Sequence, residues 1–340
     1  MRLLLVLALA SAVFAQTPEI SNAKLETRQF SGDLASHVHG TSPAWFGYAV
    51  KAPAGEHESC CWHDGNRCGC ALENESHRGS SDSRPRNPVP LEGSSAIAIL
   101  IRVANSDVER VRVYSMACPL DAGGLSFVWL SGVSAGASLS YLEKLAIAHT
   151  EDKVLDGAVL AISQHDDSGA DTALERLTRP ALPENLREKA IFWIGASRGA
   201  PGLRVLKNLL AHEASEKIRD KAVFALSINK QPEALDTLIS VARSDASPHV
   251  RSQAIFWLSQ KAGQRASATI SSAIENDPDT GVKERAVFAL SQLPKDEGVV
   301  KLIQVARSQK NPSVRKQAFF WLGQSGDPRA LAFIEQVLTK

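Results

Sequence analysis

The feature that most constrains this chain is a repeat of fixed length. Five segments align without a gap: KAIFWIG from Lys189, KAVFALS from Lys221, QAIFWLS from Gln253, RAVFALS from Arg285 and QAFFWLG from Gln317. Phe192, Phe224, Phe256, Phe288 and Phe320 therefore recur every 32 positions. Two further steps back reach Ala161 in GAVLAIS and Trp129 in FVWLSG. The residue after the Phe position alternates along the whole series: Trp129, Ala161, Trp193, Ala225, Trp257, Ala289, Trp321. Self-similarity at such a period belongs to stacked supersecondary units, each unable to bury its apolar face alone.

Each unit reads as two helices. In one copy the first helix runs from Pro232 to Arg243, with Leu235, Leu238, Ile239 and Val241 on one side. Ser244 to Pro248 is a turn whose proline suits the first position of a helix. His249 to Lys261 is the second helix. Val250, Ala254, Trp257 and Leu258 share its buried face, because steps of four, seven and eight residues return to nearly the same angle. Ser252 and its charged equivalents Glu188, Asp220, Glu284 and Lys316 are expected to face solvent. Trp alternating with Ala predicts that a large ring of one unit fills space beside the small residue of the next.

Val250-Arg251 and Val314-Arg315, with Val282-Lys283 and Ile218-Arg219 as variants, open the second helices; a small residue follows four on, and Leu-Gly or Leu-Ser closes them. These features resemble HEAT repeats, in the short form also found in bacterial phycobilisome-lyase-like proteins. Such units commonly carry an acidic turn residue six before the Arg. Asp245/Arg251, Asp277/Lys283 and Glu213/Arg219 keep that spacing, whereas Ala181/Arg187 and Gln309/Arg315 do not. The resemblance implies an all-α HEAT-like α/α solenoid over residues 125–340, six to seven units long. It implies little about activity, because the scaffold serves many unrelated roles.

The chain in front of the repeats has other properties. Arg2, the apolar run Leu3 to Leu9 and Val13-Phe14-Ala15 read as a secretory signal peptide over residues 1–15, which predicts a periplasmic or secreted protein of bacterial type. No stretch approaches the roughly 18 uninterrupted apolar residues of a membrane span. A formal net charge of +1 supplies no field for a polyanion, so no nucleic-acid partner is expected. Residues 16–124 read as a small β-rich domain. Trp45 to Val50 has the look of a strand; Ala96–Val103 and Val108–Tyr114 read as a hairpin; Glu73 to Gly93 reads as a polar loop. Asn74-Glu75-Ser76 is a glycosylation sequon, relevant only in a eukaryotic secretory pathway.

All five cysteines fall in this front part: Cys60, Cys61, Cys68, Cys70 and Cys118. Two disulfides are the expected use in an exported small domain. The alternative is zinc, held by Cys60 or Cys61 with Cys68, Cys70 and His57 or His63. An odd count leaves one cysteine over, either Cys118 or one of the Cys60/Cys61 pair.

Two features of the repeats bear on function. The ladder Phe192, Phe224, Phe256, Phe288 and Phe320 lies off the core face, where it either lines a groove for a peptide or partner helix or packs between successive second helices. The ladder Arg187, Arg219, Arg251, Lys283 and Arg315 is expected to hydrogen-bond the preceding turns rather than bind anions. His212-Glu213 has no equivalent 32 residues away, unlike the repeated His-Glu pairs of HEAT-type deoxyhypusine hydroxylases, and Asp166-Asp167 beside His165 sits in a loop. There is no nucleophile elbow, phosphate loop or paired-carboxylate motif. The expected function is an exported protein–protein interaction scaffold with no catalytic residues and no cofactor. The competing readings are a metal- or thiol-dependent enzyme or redox protein built on Cys60 to Cys70, and a lyase-like HEAT protein.

Overall fold

The computed structural model describes residues 17–53, 60, 62–64, 67–73, 96–149, 152–261 and 264–339. The proposed leader, most of the Glu73–Gly93 loop and the sequon lie outside these residues, as does Cys61. The chain divides into two compact units, one ending at Leu182 and the other running from Pro183 onward.

The first unit is built on two sheets. β1 (Ile20–Ser21), β8 (Leu120–Asp121), β5 (Arg67–Ala71) and β4 (Trp62–Asp64) form one, in that order. The other runs β2 (Lys24–Gln29), β9 (Ser126–Ser131), β3 (Ala44–Lys51), β6 (Ala96–Ala104), β7 (Asp107–Ser115). The expected hairpin is β6–β7. Its turn residues Asn105 and Ser106 take φ values of 54° and 66°, the left-handed pair a two-residue primed turn requires. One face of the larger sheet contributes Trp45, Ala98, Leu100, Phe127 and Trp129 to a core shared with Cys70 and Leu120 of the smaller sheet and with Cys118 in the turn before β8. Three helices complete the unit: α1 (Ala135–Ala148), α2 (Asp152–Ser163) and α3 (Ser168–Arg176). Helix α2 packs on β7, and α1 reaches β3 through Ser138, whose hydroxyl lies 2.9 Å from the Tyr48 hydroxyl.

This corrects the expected start of the repeats at residue 125. Trp129 belongs to strand β9, parallel to both β2 and β3, and is not a rung of the helical series. The run Phe127-Val128-Trp129-Leu130 is buried on both sides of the sheet. Such a strand shows no alternation, so a short apolar run matches a helix segment equally well. The helical region begins at Ala135, and its first three helices fold with the sheets.

The second unit is all helix. α4 (Glu184–Ser197), α6 (Glu216–Ile228), α8 (Pro248–Ser259), α10 (Thr280–Ser291) and α12 (Pro312–Gln324) are the second helices, and their first residues step by 32 throughout. Between and after them run the first helices α5 (Gly199–His212), α7 (Glu233–Ser244), α9 (Gln264–Asn276), α11 (Lys295–Ser308) and α13 (Pro328–Leu338). The helix pair expected at 232–261 is thus α7 and α8. Successive second helices pack on one another and on their first helices, the stacking that a solenoid requires.

The second helices start where they do because a capping residue recurs. The side chains of Ser215, Ser247, Asp279 and Asn311 accept from the backbone N–H of Ile218, Val250, Val282 and Val314. Pro248 and Pro312 occupy the first turn, where a missing N–H costs nothing. The buried face of α8 is Val250, Ala254, Ile255 and Leu258, each 0% exposed. Trp257, placed in that core by periodicity, is half-buried at its edge, and Ile255 takes the inner position. In the other repeats Ile191, Val223 and Val287 are the fully buried counterparts of Ile255. The row expected in open solvent is partly covered too. Glu188 meets Lys217 at 2.7 Å, Asp220 meets His249 at 3.9 Å, and Ser313 donates to Glu284.

Candidate functional site: an aromatic ladder on the second helices

Two ladders run across the second helices, one ionic and one aromatic. The ionic ladder begins at the turn residue six before each Arg. Asp245 Oδ1 accepts from Ser247 N at 2.8 Å, and Asp277 Oδ1 from Asp279 N at 2.9 Å; each carboxylate thereby fixes the turn that carries the cap. The Arg binds that turn from the other side: Arg219 Nη1 donates to Glu213 O at 2.9 Å, Arg251 Nη1 to Asp245 O at 2.9 Å and Arg315 Nη1 to Gln309 O at 3.1 Å. These are the expected bonds to the preceding turns.

The same Arg side chains also reach forward, which the spacing alone did not reveal. Arg187 pairs with Glu213, Arg219 with Asp245 at 3.3 Å, and Arg251 holds Asp277 through two bonds of 2.8 Å. Each acid therefore joins two repeats. Burial pushes the Asp277 carboxyl up, but the Arg251 guanidinium and the Asp279 N–H outweigh it and hold the group below the ordinary carboxylate range. At Arg187, Arg219 and Arg251 both charges are consumed in pairs, while Lys283 and Arg315 donate to the carbonyls of Glu275 and Gln309, so the ladder ties the turns together as a structural ridge.

The aromatic ladder is continuous. Trp193 meets Phe192 edge-on at 5.0 Å, Phe192 stacks on Phe224 at 6.1 Å, and Phe224 meets Trp257 at 4.9 Å. Trp257 then meets Phe256 at 5.0 Å, Phe256 stacks on Phe288 at 6.3 Å, Phe288 meets Trp321 at 5.0 Å, and Trp321 meets Phe320 at 5.0 Å. The Trp/Ala alternation explains the order. Ala225 and Ala289 are fully buried, and each indole leans across to the Phe of the repeat before it. These geometries fall within the 4.5–7 Å range in which aromatic pairs attract.

The Phe rings pack between second helices and still leave an apolar row partly on the surface. Phe192 is 37% exposed and Phe320 53%, while Phe224, Phe256 and Phe288 are half-buried. Arg285 lies over both Phe256 and Phe288, its guanidinium carbon 5.5 Å and 5.4 Å from the ring centres. A cavity of about 240 Å³ opens beside the ladder, lined by Leu293, Gly298, Val299, Leu302, Trp321 and Gln324.

Cys60 and Cys118 form a disulfide with Cα atoms 5.7 Å apart, and Cys70 is disulfide-bonded as well. Cys118 is therefore not the cysteine left over, and Cys60 and Cys70 are withdrawn from the zinc set. The side chain of Cys68 lies outside the described residues. His212 and Glu213 do not converge on a metal, because Glu213 is engaged by Arg187 while His212 Nδ1 sits 3.0 Å from Asn208 O. In the first unit the His165 ring lies 2.9 Å from the Ser138 hydroxyl and 2.8 Å from Ala161 O. His165, Ser138 and Tyr48 are each 0% exposed, and burial raises the Tyr48 phenol above its usual range. A Ser–His contact with no opening to solvent is a packed polar network, not a nucleophile. Among the described residues there is no catalytic constellation, and no helix is long and apolar enough to cross a membrane.

Comparison with known proteins agrees with the repeat. Among solved structures, human deoxyhypusine hydroxylase in complex with glycerol is 15% identical over 58% of this chain and 88% of its own, with a TM-score of 0.26. The complex of CpcE and CpcF of phycocyanin lyase from Nostoc sp. PCC7120 is 19% identical over 45% and 98%, with a TM-score of 0.36. Kap95p, from a structure of its binding to RanGDP, is 14% identical over 60% and 32%, with a TM-score of 0.39. At these identities and scores the likenesses carry nothing about activity or partners. No curated protein matches the chain. The family model for HEAT repeats matches residues 170–259 and 267–340, and these two stretches of the chain are HEAT repeats.

Proposed function

We propose that this chain is an exported protein-binding scaffold whose working surface is the aromatic ladder of its second helices. The observation that carries this reading is the unbroken row of eight rings from Trp193 to Phe320, with Phe192 and Phe320 at 37% and 53% exposure. Aromatic side chains are enriched among the residues that dominate binding energy, because they offer large rigid surfaces at low entropic cost. A standard interface takes about 800 Å² from each partner, which calls for several adjacent helices, and the ladder crosses five second helices. Export is supported by the leader-like start of the sequence and by disulfides, which persist outside the reducing cytoplasm.

The test is affinity capture from the native envelope fraction. Mature protein serves as bait beside Phe192→Ser and Phe256→Ser variants, with circular dichroism showing that the helices survive. The reading expects capture by the intact protein and at least a tenfold loss in the double variant. Equal capture by the double variant would move the working surface elsewhere.

A further inference from the structure

The larger sheet of the first unit has two edge strands, and the fold treats them differently. Helix α2 lies against β7, so close that a Cβ built on Gly157 would sit 2.1 Å from Val111 O. Strand β2, at the other edge, pairs among the described residues with β9 alone, and every one of its residues is exposed. An uncovered row of backbone N–H and C=O groups is a template for another strand.

The existing ladder decides which backbone groups point outward. Lys24 N donates to Leu125 O at 3.1 Å, and Phe30 N to Ser131 O at 2.8 Å. Backbone groups alternate sides along a strand, so Lys24, Glu26, Arg28 and Phe30 turn toward β9, while Leu25, Thr27 and Gln29 turn outward. Two copies of β2 can therefore pair antiparallel only in registers that join these three residues. A register centred on Glu26 or on Arg28 sets that charge against itself. One centred on Leu25 runs into Asn22, whose φ of 49° leaves the strand, and one centred on Gln29 runs into Gly32 at 79°. Centred on Thr27, the pairing takes in Lys24 to Phe30 entire, with Glu26 opposite Arg28 at both ends and Leu25 opposite Gln29. Charges guard an edge when an incoming strand meets its own sign. About Thr27 it meets the opposite sign.

We propose that β2 is the contact through which two copies of this chain join, antiparallel about Thr27, fusing two five-stranded sheets into one. Identical strands paired in this way form an isologous two-fold interface, in which each residue meets its complement twice. Thr27 and its counterpart exchange both backbone bonds, and so do Leu25 and Gln29. Glu26 and Arg28 take the non-hydrogen-bonded positions, where side chains approach most closely. Within one chain Arg28 already holds Glu26 through two bonds of 2.7 Å, so the paired strands bring four alternating charges together. Leu25, 47% exposed, gains the aliphatic stem of Gln29 as cover. A single strand buries less than the about 800 Å² per partner of a standard interface, so the dimer is weak and concentration-dependent. Strand β2 belongs to the first unit and the aromatic ladder to the second, so neither reading depends on the other.

Sedimentation equilibrium of the intact protein between about 10 and about 500 µM reads the association. The variants are Glu26→Lys, Arg28→Glu and Thr27→Pro, all at exposed positions, with circular dichroism verifying the fold. The Thr27 N–H points outward, so proline there costs the β9 ladder no bond. The intact protein should form a reversible dimer, and each variant alone should weaken it at least about tenfold. An equimolar mixture of Glu26→Lys and Arg28→Glu should dimerise again, because each supplies the charge the other lacks. A monomer at every concentration would overturn the proposal, as would a dimer that Thr27→Pro leaves intact. A mixture that stays monomeric would overturn the pairing about Thr27.

Discussion

Removing one carboxylate, Asp277, tests the ionic ladder that joins the repeats. Its side chain is 5% exposed and that of Arg251 8%, and two bonds of 2.8 Å connect them. In Asp277→Ala the guanidinium stays buried with only the carbonyls of Asp245 and Ala246 as acceptors. Breaking one side of a buried pair costs about 3–5 kcal/mol, most of it the desolvated charge left behind. Asp245→Ala should cost less, because Arg219 holds that carboxylate only at 3.3–3.4 Å. Replacing both Arg251 and Asp277 with apolar residues of similar volume should recover most of the loss. The pH dependence follows from the depressed Asp277 carboxyl. A lowered pKa contributes stability that is fully present above the unfolded value, about 3.9, and is lost as pH falls through the folded value. The gap between the intact protein and Asp277→Asn should therefore be constant from pH 7 to 5 and close below about pH 4. Urea melts followed by circular dichroism measure all of this. A loss under about 1 kcal/mol at pH 7, or an equal loss for Asp245→Ala, would refute the reasoning.

Two further outcomes are expected. Ile255→Ala should destabilise by about 2–5 kcal/mol and Ser252→Ala by under about 0.5 kcal/mol, with Trp257→Ala between them, in the same urea melts. The Cys60–Cys118 bond spans 58 residues, for which the chain-entropy relation gives about 4 kcal/mol, so Cys60→Ser with Cys118→Ser should lower the denaturation midpoint of the first unit, read by tryptophan fluorescence.

The repeats were legible because their period is carried by large residues. Phe, Trp and Ala at fixed steps located the second helices to within a residue or two, and Pro248 marked a helix start. What escaped was contact between units. Asp245 and Arg251 could be seen to share a turn, but the link from Arg251 to Asp277 spans 26 residues and depends on how second helices stack. The inner place of Ile255 was missed for the same reason: a helix flanked by neighbours on both sides buries more than one stripe, so a single wheel cannot rank Trp257 against it. Strand β9 was hidden by its own burial, since a strand covered on both faces loses the alternation that identifies it.

The central claim is that a protein binds along the ladder, and hydrogen exchange on the captured complex tests it most directly. Amide protection should rise on partner binding across α6, α8 and α10, around Phe224, Phe256 and Phe288, and stay unchanged in the sheets of the first unit. Protection confined to residues 17–131, with the second helices unaltered, would contradict it and make the sheet-bearing unit the binding module.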